Sequence, residues 1–160
     1  RKSVTGYVIK LGEFVVSWKA KKQTIVSRSS AEAEYRSLAS TVAELVWLVG
    51  MLKELKVEVQ LPFQVYSDNK SVVLLASNPV YHERTKHIEI DCHFIREKLQ
   101  EGLIKITYVS THNQPADFLT KGLNRPQHDW LLSKLGVLNI FTPPSLRGSN
   151  EVGAVTYELM

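Results

Sequence analysis

The sequence predicts an α/β layered domain in which a mixed sheet is flanked by helices. Three observations carry this. The chain has 160 residues, the length of one domain with room for a real core. Short runs rich in β-branched and aromatic residues alternate with longer runs whose apolar residues recur every three or four positions. Their order reads β-β-α-β-α-α-β-α-α, which favours layers over a barrel or a helical bundle. The domain is expected to span residues 1–140, with 141–160 a loose tail.

Val4 to Lys10 is β-rich, Leu11-Gly12-Glu13 supplies a turn, and Phe14 to Lys19 reads as a second strand of the same hairpin. Ser29-Ser30-Ala31-Glu32 fits a capping box, in which serine and glutamate satisfy each other's exposed amides at a helix start. Leu38, Val42, Leu45, Val49, Leu52 and Leu55 then form one apolar stripe, so the helix should run to about Lys56. After Pro62, Phe63 to Ser67 is a strand and Asp68 to Ser77 a short helix that stops before Asn78-Pro79. Arg84 to Gln100 forms a second long helix with Ile88, Cys92 (or Asp91), Ile95 and Leu99 along one face. Gly102 ends it, and Leu103 to Val109 is another strand. Short helices follow at Pro115 to Lys121 and Pro126 to Leu135, and Pro143-Pro144 with Gly148-Ser149-Asn150 marks the tail.

Composition narrows the class. A hydrophobic share of 44% with 22% charged residues argues against a disordered chain. With one cysteine, Cys92, neither an internal disulfide nor a multi-cysteine zinc site is available, which suits a reducing compartment. Arg1 to Gly6 lacks the apolar core of a signal peptide, and the apolar run near Leu45 to Leu52 is far short of the roughly 20 residues of a membrane span. A soluble, intracellular protein is expected. The net charge of +4 is compatible with an anionic partner. Lys19, Lys21, Lys22 and Arg28 concentrate that charge, although lysines on a strand edge also serve simply to block unwanted pairing.

Three carboxylates stand out because they come from different elements. Glu34 lies four residues before Leu38 and eleven before Leu45, on the apolar stripe of its helix, where an acid costs free energy unless it has a partner. The ordinary structural alternative is a wet position at the stripe's edge. Asp68 stands at the carboxyl end of a strand, where ligand sites gather in open α/β sheets. Taken singly, an aspartate there serves more often as a helix N-cap than as a ligand. Asp117 falls in the first turn of the helix after Pro115, a placement that the helix dipole alone would favour. Brought together, three such groups repel unless a cation lies between them. Mg²⁺ suits that position, since it takes oxygen ligands and retains room for water and phosphate oxygens. Two such ions about 3.5–4 Å apart activate water and stabilise the leaving oxygen of a phosphodiester.

At these residues the sequence resembles a known family. Ser27-Arg28-Ser29-Ser30-Ala31-Glu32-Ala33-Glu34-Tyr35, Tyr66-Ser67-Asp68-Asn69, Thr85-Lys86-His87-Ile88-Glu89-Ile90-Asp91 and Gln114-Pro115-Ala116-Asp117-Phe118-Leu119-Thr120-Lys121, in that order, look like the ribonuclease H domain of copia-type retrotransposon Pol polyproteins. Ser17-Trp18-Lys19-Ala20-Lys21-Lys22-Gln23 fits as well, and the resemblance covers about Arg1 to Leu138. It implies a ribonuclease H-like three-layer fold with a five-stranded mixed sheet. It also implies hydrolysis of the RNA strand of RNA–DNA hybrids during reverse transcription, with two Mg²⁺ or Mn²⁺ ions as cofactors.

By the same resemblance, Glu34, Asp68 and Asp117 are catalytic metal ligands, and His112 matches a loop histidine tied to catalysis or product release. An exposed loop residue is the ordinary reading of His112. His87 and Asp91, spaced i, i+4, belong to the pattern but imply a structural role, and His93 does not complete a zinc site with them. Lys19, Lys21, Lys22, Arg28, Asn69 and Lys70 are the expected nucleic-acid contacts. An RNA–DNA hybrid and the reverse transcriptase domain of the same polyprotein are the expected partners, in a cytoplasmic particle or the nucleus, with no membrane.

One feature of the family has no counterpart here. Its first aspartate lies on a strand that would precede Val4, and the first acid in this chain is Glu13, in the hairpin turn. The expectation is an N-terminally truncated domain, lacking the first strand and with little nuclease activity alone. The alternative is a catalytically inactive remnant that acts at most as a nucleic-acid-binding or protein-interaction domain.

Overall fold

The computed structural model describes residues 2–78, 88–137 and 158–159. Strands β1 (Val4–Leu11) and β2 (Phe14–Lys22) form an antiparallel hairpin, and Gly12 takes the positive φ of 61° that its turn requires. β2 runs past Lys19 to Lys22, so its three lysines belong to the strand. Helix α1 (Ser30–Glu54) follows, then β3 (Phe63–Ser67), α2 (Lys70–Ser77), α3 (Glu89–Gln100) and β4 (Ile104–Tyr108). A 3-10 turn at Thr111–Asn113 leads to α4 (Asp117–Thr120), α5 (Arg125–Lys134) and β5 (Glu158–Leu159). The α/β class is as expected. Thr85, Lys86 and His87, singled out in the sequence, lie outside the described residues, and so does the start of the helix expected from Arg84.

The five strands form one mixed sheet in the order β2-β1-β5-β3-β4. β5 runs antiparallel to β1, at Ile9↔Leu159, and parallel to β3, which is itself parallel to β4. The tail was expected to be loose throughout, and at Glu158–Leu159 it is not: these residues take the central position of the sheet. Their neighbours explain the placement, since β1 and β3 both have backbone groups that need a partner between them.

Successive strand residues face opposite sides of a sheet, and in β1 Tyr7, Val8, Ile9 and Lys10 are all buried, so both faces of this strand are covered. Tyr7 and Ile9 join the main core with Tyr35, Leu38, Val42, Leu45 and Val49 of α1, and with Val72, Cys92 and Ile95 of α2 and α3. Full burial of a side chain such as Val42 or Leu45 contributes about 1.5–3 kcal/mol. The other face is served by the C-terminal helices. Lys10 Nζ donates to the Lys134 carbonyl at 3.1 Å, and Leu131 and Leu135 of this region are buried. The stripe of α1 buries from Leu38 to Val49 as its spacing predicts, but Leu52 is only half-buried, and the helix stops at Glu54 and leaves Leu55 exposed.

Candidate active site

The start of α1 is fixed by side chains. Ser29 Oγ accepts from the Glu32 amide at 3.1 Å, while Glu32 Oε2 accepts from the Arg28 amide at 2.8 Å, one residue before the partner a capping box would use. This leaves Glu34, two residues on, to project with Leu38 and Thr41 toward a pocket at the carboxyl end of β3. At that strand end the cap is Asn69: its Oδ1 accepts from the Ser71 and Val72 amides at 3.0 and 3.3 Å. The capping role open to Asp68 in the sequence is therefore taken by its neighbour. Ser67 Oγ accepts from the Asn69 amide and tightens the same turn.

The third carboxylate arrives with α4. Here β1 carries Gly6, and a Cβ at that position would collide with Thr120 Cγ2 and lie 3.5 Å from the Ala116 carbonyl oxygen. Only glycine lets α4 seat this closely, and that seating places Asp117 over the sheet end. Gln114 adds a brace, donating from Nε2 to the Tyr66 carbonyl at 3.4 Å. Its Oε1 is buried and has no hydrogen-bond partner among the described residues.

Glu34, Asp68 and Asp117 thus meet within electrostatic reach of one another, beside a small cavity of about 50 Å³ lined by Glu34, Asp68, Gln114 and Gly6. The Glu34 side chain is exposed, yet protein around its carboxyl group strips enough hydration to hold its proton affinity above the usual carboxylate range. The charges of Asp68 and Asp117 push it further in that direction, and Lys121 opposes them. Asp117, only 7% exposed, is raised by burial first and by Asp68 in addition, against the pull of Lys121. Lys121 was not among the sequence candidates. Its Nζ lies 2.8 Å from Asp117 Oδ2 and 3.6 Å from Asp68 Oδ2. Burial would lower its proton affinity, but the two aspartates raise it.

A set of three carboxylates with a buried, unpartnered amide oxygen fits a hard divalent cation by donor chemistry. The set is not preformed: among the described residues, no three His, Cys, Asp or Glu side chains stand together in an arrangement ready to hold a metal. Two of the carboxylates are turned to Lys121 instead.

The remaining candidates separate. His112 lies on the 3-10 turn, exposed, with its ring 5.1 Å from that of Trp130 and its carbonyl accepting from Gln127 Nε2 at 2.8 Å. None of these contacts reaches the three carboxylates, because α5 holds the turn against itself. Lys70 is exposed just after Asp68, with Nζ 5.0 Å from the centre of the Tyr108 ring. Lys19, Lys21 and Lys22 line a different groove of about 540 Å³, which they share with Arg36, Ser40, Asp91 and Phe94. Residues 36, 39, 40 and 43 of α1 face this groove, whereas 34, 37, 38 and 41 face the carboxylate pocket. At 100° per residue these sets lie on opposite sides of the helix. Asp91 at the groove is raised by burial, with Arg36 acting against it. Arg28 is exposed and outside the lining of either cavity.

Comparison with known proteins adds the lineage. The chain is 46% identical over 146 residues to the retrovirus-related Pol polyprotein from transposon RE2 of Arabidopsis thaliana. It is 47% identical over 143 residues to that from transposon RE1 of the same plant, and 38% identical over 137 residues to that from transposon TNT 1-94 of Nicotiana tabacum. These matches cover 91%, 89% and 86% of the chain. It belongs to the retrovirus-related Pol polyproteins of transposons. The chain spans about 10% of the length of each of these polyproteins. No family model matches it, and no solved structure does. Among the described residues of this Pol segment, no helix is long and apolar enough to cross a membrane.

Proposed function

We propose that this Pol segment is a ribonuclease H-like domain that hydrolyses the RNA strand of RNA–DNA hybrids made during retrotransposon reverse transcription. The observation that carries the reading is that Glu34 and Asp68, from a helix face and a strand end, line one pocket, with Asp117, from a helix start, within electrostatic reach of both and joined to Asp68 through Lys121. Asp68 and Asp117 add to burial in raising the proton affinity of Glu34, and Asp68 does the same to Asp117, a crowding of acids that is common at functional sites. The three carboxylates, with Gln114 Oε1 beside them, would hold two Mg²⁺ or Mn²⁺ ions. Bound there, such ions supply an activated water and charge stabilisation at the leaving oxygen.

The protein's own groups then have defined tasks. Gly6 and Thr120 fix α4, and thereby Asp117, against β1. Asn69 holds the first turn of α2, so that Asp68 stays directed at the pocket, and its Nδ2 is the group left to meet a ligand. Lys70, exposed beside Asp68, is placed to meet a backbone phosphate near the reacting bond. Lys19, Lys21 and Lys22, on the far side of α1, would add phosphate contacts away from it, contributing affinity without reading sequence. Discrimination for RNA must come from 2′-hydroxyls near the pocket. The reverse transcriptase domain of the same polyprotein is the proposed partner.

The test is cleavage of an end-labelled RNA–DNA hybrid with Mg²⁺ or Mn²⁺. Two proteins are compared: this chain, and a fusion placing ahead of Arg1 the segment that precedes the matched region in the RE1 relative. The expected result is metal-dependent cleavage of the RNA strand by the fusion, lost in Asp68→Asn and Asp117→Asn. Cleavage indifferent to both substitutions, or none from a folded fusion, overturns the proposal.

A further inference from the structure

Lys121 places its ammonium between Asp68 and Asp117. Its ammonium bonds Asp117 Oδ2 at 2.8 Å and stands 3.6 Å from Asp68 Oδ2, and its charge also acts on Glu34. The backbone amide of Lys121 donates to the Asp117 carbonyl at 2.9 Å, so the main chain is held independently of the side chain's ion pairs. That side chain is 46% exposed, and its four-carbon stem can swing the charge into solvent without moving α4. Arginine-like bidentate fixation is absent, because an ammonium is a compact point charge.

We propose that Lys121 is a tethered counter-ion. It clamps Asp68 and Asp117 together in the metal-free chain, competes with divalent cations for their oxygens, and so sets the cation concentration at which the site fills. The inference rests on the reading of this pocket as a divalent-cation site. It adds a residue that opposes filling, where the carboxylates promote it. The orphaned Gln114 Oε1 supports it: a neutral acceptor at the pocket wall remains available to a ligand while the two charged acceptors are held. Lys121 is a positioning residue here, acting through Asp68 and Asp117.

The experiment uses the full chain and Mn²⁺ alone, with binding read by water-proton relaxation and by calorimetry. Parent, Lys121→Met and Lys121→Arg are compared, with Asp117→Asn as the control. Lys121→Met is expected to bind Mn²⁺ about threefold to fivefold more tightly, the upper part of the range for a partly exposed ion pair that no longer has to be broken. Lys121→Arg, which keeps the charge, should stay within about twofold of the parent. A second readout is thermal melting. Without metal, Lys121→Met should melt below the parent because its carboxylates repel, and Mg²⁺ should raise its midpoint more than the parent's.

If the parent binds Mn²⁺ and Lys121→Met binds it equally or more weakly, the counter-ion role is overturned and the metal site stands. No saturable binding in any folded variant overturns the metal site and the inference with it. Binding confined to Lys121→Met supports the inference in its strongest form.

Discussion

Replacing Gly6 by alanine is expected to destabilise the protein, against the usual effect of that change in a strand. Alanine ordinarily stabilises by about 0.4–1 kcal/mol, since it narrows the unfolded ensemble. At Gly6 the new methyl meets Thr120 Cγ2, a stiff β-branched group, with the Ala116 carbonyl 3.5 Å away. β1 cannot retreat, because the Gly6 carbonyl accepts from Ser37 Oγ at 3.3 Å on one side and Gly6 is paired with Ala20 in the hairpin. The helix must give. Overpacking of this kind costs about 1–3 kcal/mol, so from the middle of each range the net loss should be about 1.3 kcal/mol.

Thr120→Ser removes the obstructing methyl and keeps the hydroxyl, which donates to the Ala116 carbonyl at 3.5 Å. The double variant should therefore regain most of the loss, with a coupling of about 0.5–3 kcal/mol in a double-mutant cycle read by urea denaturation. Because α4 carries Asp117 and leads directly into Lys121, Mn²⁺ affinity should fall in Gly6→Ala and recover in the double variant. Additive energies, or a Gly6→Ala protein as stable as the parent, would refute the idea that this contact seats α4.

Other outcomes follow from the same geometry. Glu34 and Asp117 hold protons more tightly in the folded than in the unfolded chain, so the metal-free fold loses stability as pH rises from the ordinary carboxylate range through their raised values. Urea midpoints between about pH 4 and pH 8 should show that fall, damped for the exposed Glu34, and Asp117→Asn should flatten it. Asn69→Ala should cost about 1 kcal/mol by removing the α2 cap, while Asn69→Asp retains it, as measured by thermal melts. Replacing Lys21 and Lys22 by glutamine should weaken hybrid binding at every sequence. The slope of log K against log salt should fall by roughly one for each phosphate no longer neutralised.

Much of the fold was legible because its signals are local. The hairpin, the stripe of α1 and the strand before Asp68 announce themselves by spacing, and Cys92 rather than Asp91 turns inward because the face of α3 is completed by Ile88 and Ile95. What escaped depends on contacts between distant residues. Glu158–Leu159 carries no strand signature, and its place is set by the two strands it lies between. Lys121 reads in sequence as an ordinary i, i+4 partner of Asp117 on a helix surface; only the approach of Asp68 at the end of β3 makes it a cation shared by two aspartates. Gly6 reads as a weak point in a strand until α4 is seen lying on it. The basic residues near Lys19 are close in sequence to the helix that bears Glu34, yet β2 sets them along a groove on the opposite face of that helix.

The most direct measurement is an anomalous-scattering map from crystals of this chain grown with Mn²⁺. Peaks bonded to Glu34, Asp68 and Asp117, with the Lys121 ammonium displaced toward solvent, are expected. Carboxylates still held by Lys121 at saturating Mn²⁺, with no ion between them, would contradict the metal site and the counter-ion role together.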